Sequence, residues 1–250
     1  MQMSLELAAF YGFITGIPLI AGAIITRFYT FKERPIGMIM AFGSGVLIAV
    51  IAFSLMAEAY HLGGIIPVSL GFVIGAVLFS WGNHTINKRG AKNRKRCVGP
   101  EVGGGSASGM SLALGSLMDN IPESFAIGVS LLSSGMVSTA LLAGIVISNF
   151  PESAAGAQAM KISGRTQSYI LKTWGSIAAI NVVAAVIGFT VISQLGPEIQ
   201  AITLGVAGGA ILAMLAETMM PEAYESGGYH VSLATTAGFL IAFIIGLEDI

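Results

Sequence analysis

Charge is what this sequence has least of. Only 10% of its 250 residues are Asp, Glu, Lys or Arg, where a soluble domain carries about a quarter, so there is too little ionic surface to clothe a water-exposed globule. Cysteine is nearly missing as well. The single Cys97 excludes an internal disulfide and any cluster of thiolate ligands within the chain; a free thiol in a basic loop is its plainest role. Neither a Gly-x-x-x-x-Gly-Lys-Ser/Thr phosphate loop nor a His-Glu-x-x-His helix is present, which removes the commonest ATP site and the commonest zinc-hydrolase pattern. No organic cofactor and no enzymatic activity are expected.

What fills the chain instead is apolar, with 54% hydrophobic residues and 33 glycines. Small residues let helices approach closely inside a bilayer. Windows near the ~20 residues needed to span run over about 5–26, 36–60, 65–83, 109–133, 136–160, 170–194, 199–220 and 229–247. Ser133-Ser134-Gly135 is the turn that separates the fourth from the fifth. The first window has neither the charged start nor the cleavage site of a signal peptide, so it reads as a retained span. The expected fold is therefore an all-α polytopic membrane protein with eight transmembrane helices.

The basic residues orient it. Arg27, Lys32 and Arg34 follow the first window, Lys88, Arg89, Lys92, Arg94, Lys95 and Arg96 follow the third, and Lys161 and Arg165 follow the fifth, with Lys172 just inside the sixth. Cytoplasmic loops retain Lys and Arg, so all three loops are expected inside a cell (inner) membrane, with both termini outside. The 84–108 loop is basic and then Gly/Ser-rich; a topology anchor with a flexible linker explains it better than nucleic-acid or lipid binding. Trp81 and Trp174 fall where interfacial anchors are expected.

Two internal repeats stand out. Residues 54–64 (SLMAEAYHLGG) match 218–228 (TMMPEAYESGG) at an offset of 164. Five windows separate the copies, so they run in opposite directions, which is the inverted-repeat signature of transporters. The second repeat is Asp119-Asn120-Ile121-Pro122-Glu123-Ser124 in the fourth window and Ser148-Asn149-Phe150-Pro151-Glu152-Ser153 in the fifth, 29 residues apart.

This second repeat carries the chemistry. A carboxylate at the bilayer centre costs about 2.5 kcal/mol or more, and Asp119, Glu123 and Glu152 sit at similar depth with no Lys or Arg in any window core. A bound cation or protons can supply the missing charge. Pro122 and Pro151 cannot donate to the carbonyls of Met118 and Ile147, which frees oxygen and favours a kink. The i, i+4 and i, i+3 spacings put Asp119, Asn120 and Glu123 on one side of a helix, and Ser148, Asn149 and Glu152 repeat that geometry. Carboxylate, amide and carbonyl oxygens together suit a cation.

Paired Asn-x-Pro-Glu segments in consecutive helices resemble the metal motifs of the ZIP (Zrt/Irt-like) divalent metal transporters, and the bacterial type in particular. The resemblance covers nearly the whole chain. It implies a 3+2+3 arrangement in which helices one to three are mirrored by six to eight. It also implies a binuclear mid-membrane centre, with Asp119, Glu123, Ser148 and Glu152 lining the principal site. Asn120 and Asn149, with Glu123 and Glu152 bridging, would line the second. This sequence departs from the family pattern where Asp119 replaces the fourth-helix His and Ser148 the fifth-helix His or Gln. Ser124 and Ser153 replace the closing Gly of each motif, and Asn181 stands nearest to the usual sixth-helix carboxylate. Imidazole suits zinc and its neighbours, whereas an all-oxygen set is less zinc-selective and leans toward manganese, iron or other hard ions, so a broad or non-zinc preference is expected.

Glu58 and His61 are expected near the outer end of the second span, and Glu217, Glu222 and Glu225 near the inner end of the seventh, as further pathway residues. Glu217 is expected to lie deepest among them. Met214, Met219 and Met220 read as packing rather than copper ligands. Expected partners are the divalent cation and the lipid bilayer, with a homodimer as the assembly to test and no nucleic acid. Two other readings compete: a proton-coupled carrier of a small organic solute, and an intramembrane hydrolase with paired carboxyls.

Overall fold

The computed structural model describes residues 2–88 and 109–248; the basic, glycine-rich stretch 89–108, with Cys97 and most of the loop expected there, lies outside the described residues. Within them the chain is almost wholly helical, with short connections between helices. In chain order the helices are α1 (Gln2–Ile25), α2 (Glu33–Val50), α3 (Met56–Gly63), α4 (Ile65–Ile86), α5 (Gly109–Ser134), α6 (Thr139–Ile162), α7 (Gln167–Ile192), α8 (Pro197–Met214), α9 (Met220–Gly227) and α10 (Val231–Glu248). Among the described residues six stretches are long and apolar enough to cross a membrane, the last of them Pro197–Gly246. The chain is thus a multi-pass membrane protein in contact with lipid. Helix α5, with Asp119, Asn120 and Glu123 in its middle, is not one of the six.

Local chemistry explains where helices begin and end. Ser138 caps α6 by accepting from the Leu141 amide, and Thr166 caps α7 by accepting from Tyr169. Pro197 occupies the first turn of α8, where its missing N–H costs nothing. Gly64 and Gly228 end α3 and α9 at φ of 75° and 70°, a conformation that burdens any residue with a Cβ. The turn expected at Ser133–Gly135 is found, with α5 ending at Ser134.

The second expected span is longer than its apolar window. Glu33–Gly63 forms one rod of 31 residues, or about 46 Å at the α-helical rise. Helices α2 and α3 join through a π-helical turn at Ile51–Leu55, and α8 and α9 join through another at Leu215–Met219. The two turns are 164 residues apart, the offset of the sequence repeat.

Packing follows the same correspondence. Helix α2 packs on α10 and α4 on α8; α5 packs on α7 and α6 on α1; α2 meets α9 and α3 meets α8; α1 lies against α7. Exchanging α1–α4 with α7–α10, and α5 with α6, leaves these principal pairs unchanged. Glycine makes the closest of them. A Cβ at Gly45 would collide with the Thr235 carbonyl of α10, and one at Gly209 with the Phe72 carbonyl of α4.

The far end of α6 is tied to the α1–α2 connection. The Gln158 amide accepts from Phe31 N at 2.7 Å and donates to Phe31 O at 3.0 Å, and Lys161 Nζ donates to Thr26 O at 2.7 Å. Trp174 corrects an expectation. It is wholly buried rather than an interfacial anchor, because Gly156 of α6 leaves a slot for its ring. Trp81 is exposed.

Candidate functional site

Helices α5 and α6 bring the two repeated segments into the interior. Asp119, Asn120 and Glu123 of α5 and Ser148, Asn149 and Glu152 of α6 are all buried. Among the described residues every Lys and Arg is exposed, whereas Asp119, Glu123, Glu152 and Glu222 are all buried. Among the described residues these carboxyl groups share the interior with polar rather than basic side chains. A buried carboxylate is costly unless it is paired or hydrogen-bonded, and a proton or a cation is one way to lower that cost.

The polar contacts run across three helices. Asn181 Nδ2 of α7 donates to Asn120 Oδ1 at 3.2 Å, and Asn120 Nδ2 donates to Glu152 Oε1 of α6 at 3.1 Å. The Asn120 amide also reaches the Ser116 carbonyl one turn back at 2.9 Å. The chain of amide dipoles therefore ends on a carboxylate. Toward α1, Asn149 Nδ2 donates to Thr15 O at 2.9 Å and Ser153 Oγ to Pro18 O at 3.0 Å. Ser148 turns back on its own helix and donates to Ile145 O at 3.0 Å.

Oxygen remains to spare. Asn149 Oδ1 and Asn181 Oδ1 are buried with no hydrogen-bond partner, as is Ser124 Oγ. Such an atom costs about 1–3 kcal/mol if left so, which makes it a candidate ligand for a visiting cation. Among the described residues no three His, Cys, Asp or Glu side chains gather closely enough to hold a metal by themselves. A cation here would therefore also need amide and backbone oxygens, a donor type that suits hard ions.

The helices run through Pro122 and Pro151 without interruption. Contacts of Thr15 and Pro18 were not foreseen. The available signal was Pro18 itself, a proline inside an apolar run like Pro122 and Pro151; the contacts use backbone carbonyls, which no side-chain pattern announces.

The outlying residues separate. Glu58 of α3 accepts from Ser130 Oγ of α5 at 2.9 Å, while His61 is exposed beside the Tyr60 ring. Glu217, expected to lie deepest, is exposed in the second π-helical turn and accepts from Asn83 Nδ2 at 2.7 Å. Glu222 is the buried one. Met214 and Met219 lie in the apolar core, as packing residues do. Neither a family model nor a curated relative matches this chain.

Proposed function

We propose that the chain is a ZIP-like transporter that moves divalent cations into the cytosol. Its eight spans stand in a 3+2+3 arrangement, with both termini outside. One observation carries the reading: three carboxyl groups of α5 and α6 are buried together with amide oxygens that lack partners, and every described Lys and Arg lies at the surface. A cation can balance the carboxylates and satisfy several orphaned amide oxygens at once, whereas each proton supplies a single carboxyl O–H donor. The duplicated packing and the paired π-helical turns support two opposed halves that exchange conformations around the α5–α6 pair.

Asp119, Asn120, Glu123, Ser148, Asn149 and Glu152 are the assigned ligands, and Asn181 positions Asn120 through Nδ2 while its Oδ1 is a further ligand candidate. Because nitrogen and sulfur donors are lacking, the cargo preference is broad or non-zinc, leaning toward Mn²⁺, Fe²⁺ or other hard ions. Calorimetry on the purified protein tests the site: about two ions per chain should bind, falling toward none when Glu123→Ala and Glu152→Ala are combined. Unchanged heats would leave the proton-coupled carrier standing. Uptake into proteoliposomes tests selectivity, and Zn²⁺ strongly outcompeting Mn²⁺ and Fe²⁺ would refute the oxygen-site argument. Reagent access to single cysteines placed in the connections tests orientation: residue 135 should react from outside and residue 164 from inside.

A further inference from the structure

The α5–α6 hairpin is held differently at its two ends. At the Lys161 end it is tied to backbone, through the two-way pairing of Gln158 with Phe31 and the Lys161 bond to Thr26. At the other end, beside the turn at Gly135, the contacts with the α2–α3 rod include two made through side chains at both ends. Ser130 Oγ donates to Glu58 Oε2 at 2.9 Å, and the Ser54 and Ser138 hydroxyls lie 3.4 Å apart.

Ser54 and Glu58 flank the junction where the rod changes character. Ser54 is within the π-helical turn Ile51–Leu55, and Glu58 is in α3 just beyond it. A π-helical turn has weaker, wider hydrogen bonding than α-helix and often marks a functional bend. Helix α3 is short and ends at Gly64 with φ of 75°, so it has a pliable joint at each end. The corresponding segment, α9, lies between the second π-helical turn and Gly228, and its Glu222 sits 164 residues after Glu58. These two glutamates are the acidic residues that the repeat preserves.

The geometry points to α3 as a hinged segment and to the Ser130–Glu58 contact as the latch that holds it against the α5–α6 hairpin. The latch governs access to the buried carboxyls from the end opposite Lys161. Helix α9, carrying Glu222, is the matching segment for the other end. The access role rests on the transport reading; the hinge and latch do not.

The test uses no metal. Ala59 is fully buried next to Glu58, so Ala59→Cys in a Cys97→Ser background reports whether α3 lifts. Ser130→Ala should speed its modification by a membrane-impermeant maleimide by up to about tenfold, the effect of one lost hydrogen bond. Ser130→Thr should restore the slow rate. Equal rates in all three proteins, or equally fast modification in Ser130→Thr, would overturn the latch. Hydrogen–deuterium exchange of the reporter-free protein gives a second readout: Ser130→Ala should accelerate exchange in 56–63 and leave 65–86 unchanged. Uniform acceleration would mean general loosening and would also overturn it. Loss of cation binding in calorimetry together with a working latch would remove the transport reading and leave the hinge.

Discussion

The two broken rods, α2–α3 and α8–α9, share a backbone and part company at one corresponding position. Phe53 lies in the first π-helical turn and packs on Phe239 and Phe243 of α10, with ring centroids 6.0 and 5.1 Å away. Its counterpart 164 residues on is Glu217, held by Asn83 of α4. An aromatic cluster in one half is a carboxylate–amide pair in the other. Close packing has been duplicated where the chain has no room for side chains, at Gly45 and Gly209. Chemistry has diverged where a side chain points outward.

The largest expected effect attacks the shared part. Gly45→Val and Gly209→Val each force a side chain into a facing carbonyl, and each should lower stability by about 3 kcal/mol, the upper range for overpacking. Thermal unfolding in detergent should show matched losses; a silent change at either glycine would break the correspondence. A smaller effect is expected where the halves differ. Asn83→Ala removes the donor to Glu217 and should cost about 1.5 kcal/mol by the same measurement, the worth of a hydrogen bond to a charged group. On α10, the counterpart of α4, Phe239 and Phe243 meet Phe53 instead.

The smallest effect compares α7 with α1 around the carboxyls. Asn181 gives a side-chain amide to Asn120, while Thr15 gives only its backbone carbonyl to Asn149. Asn181→Ala should weaken Mn²⁺ binding several-fold, roughly the 1 kcal/mol of a neutral hydrogen bond. Thr15→Ala should leave binding within about twofold, since its hydroxyl serves only Gly12 O. Titration calorimetry of the two variants distinguishes these outcomes, and equal losses would mean that the Thr15 hydroxyl matters after all.

Much of this was legible from residues alone. Hydropathy located the helices, and the Asn-x-Pro-Glu repeats located the buried carboxyls, because a charge in an apolar run is conspicuous. The link from Asn120 to Glu152 follows from placing the two segments on neighbouring helices. The π-helical turns were not legible, since one extra residue per turn leaves apolar content unchanged; only the repeat at 54–64 and 218–228 marked their neighbourhood. Burial misled at Trp174, where an aromatic near a helix start suggested an interface and Gly156 had instead prepared a pocket. Depth misled at Glu217, because position along a helix does not say which way a side chain faces once a π-helical turn has rotated it.

That rotation has a consequence of its own. Each residue of an α-helix advances the azimuth by about 100°, so the π-helical turn at Ile51–Leu55 sets the phase of everything after it. Were the same five residues wound as regular α-helix, Glu58 would be swung roughly a quarter-turn away from Ser130. The irregularity is what aims the carboxylate.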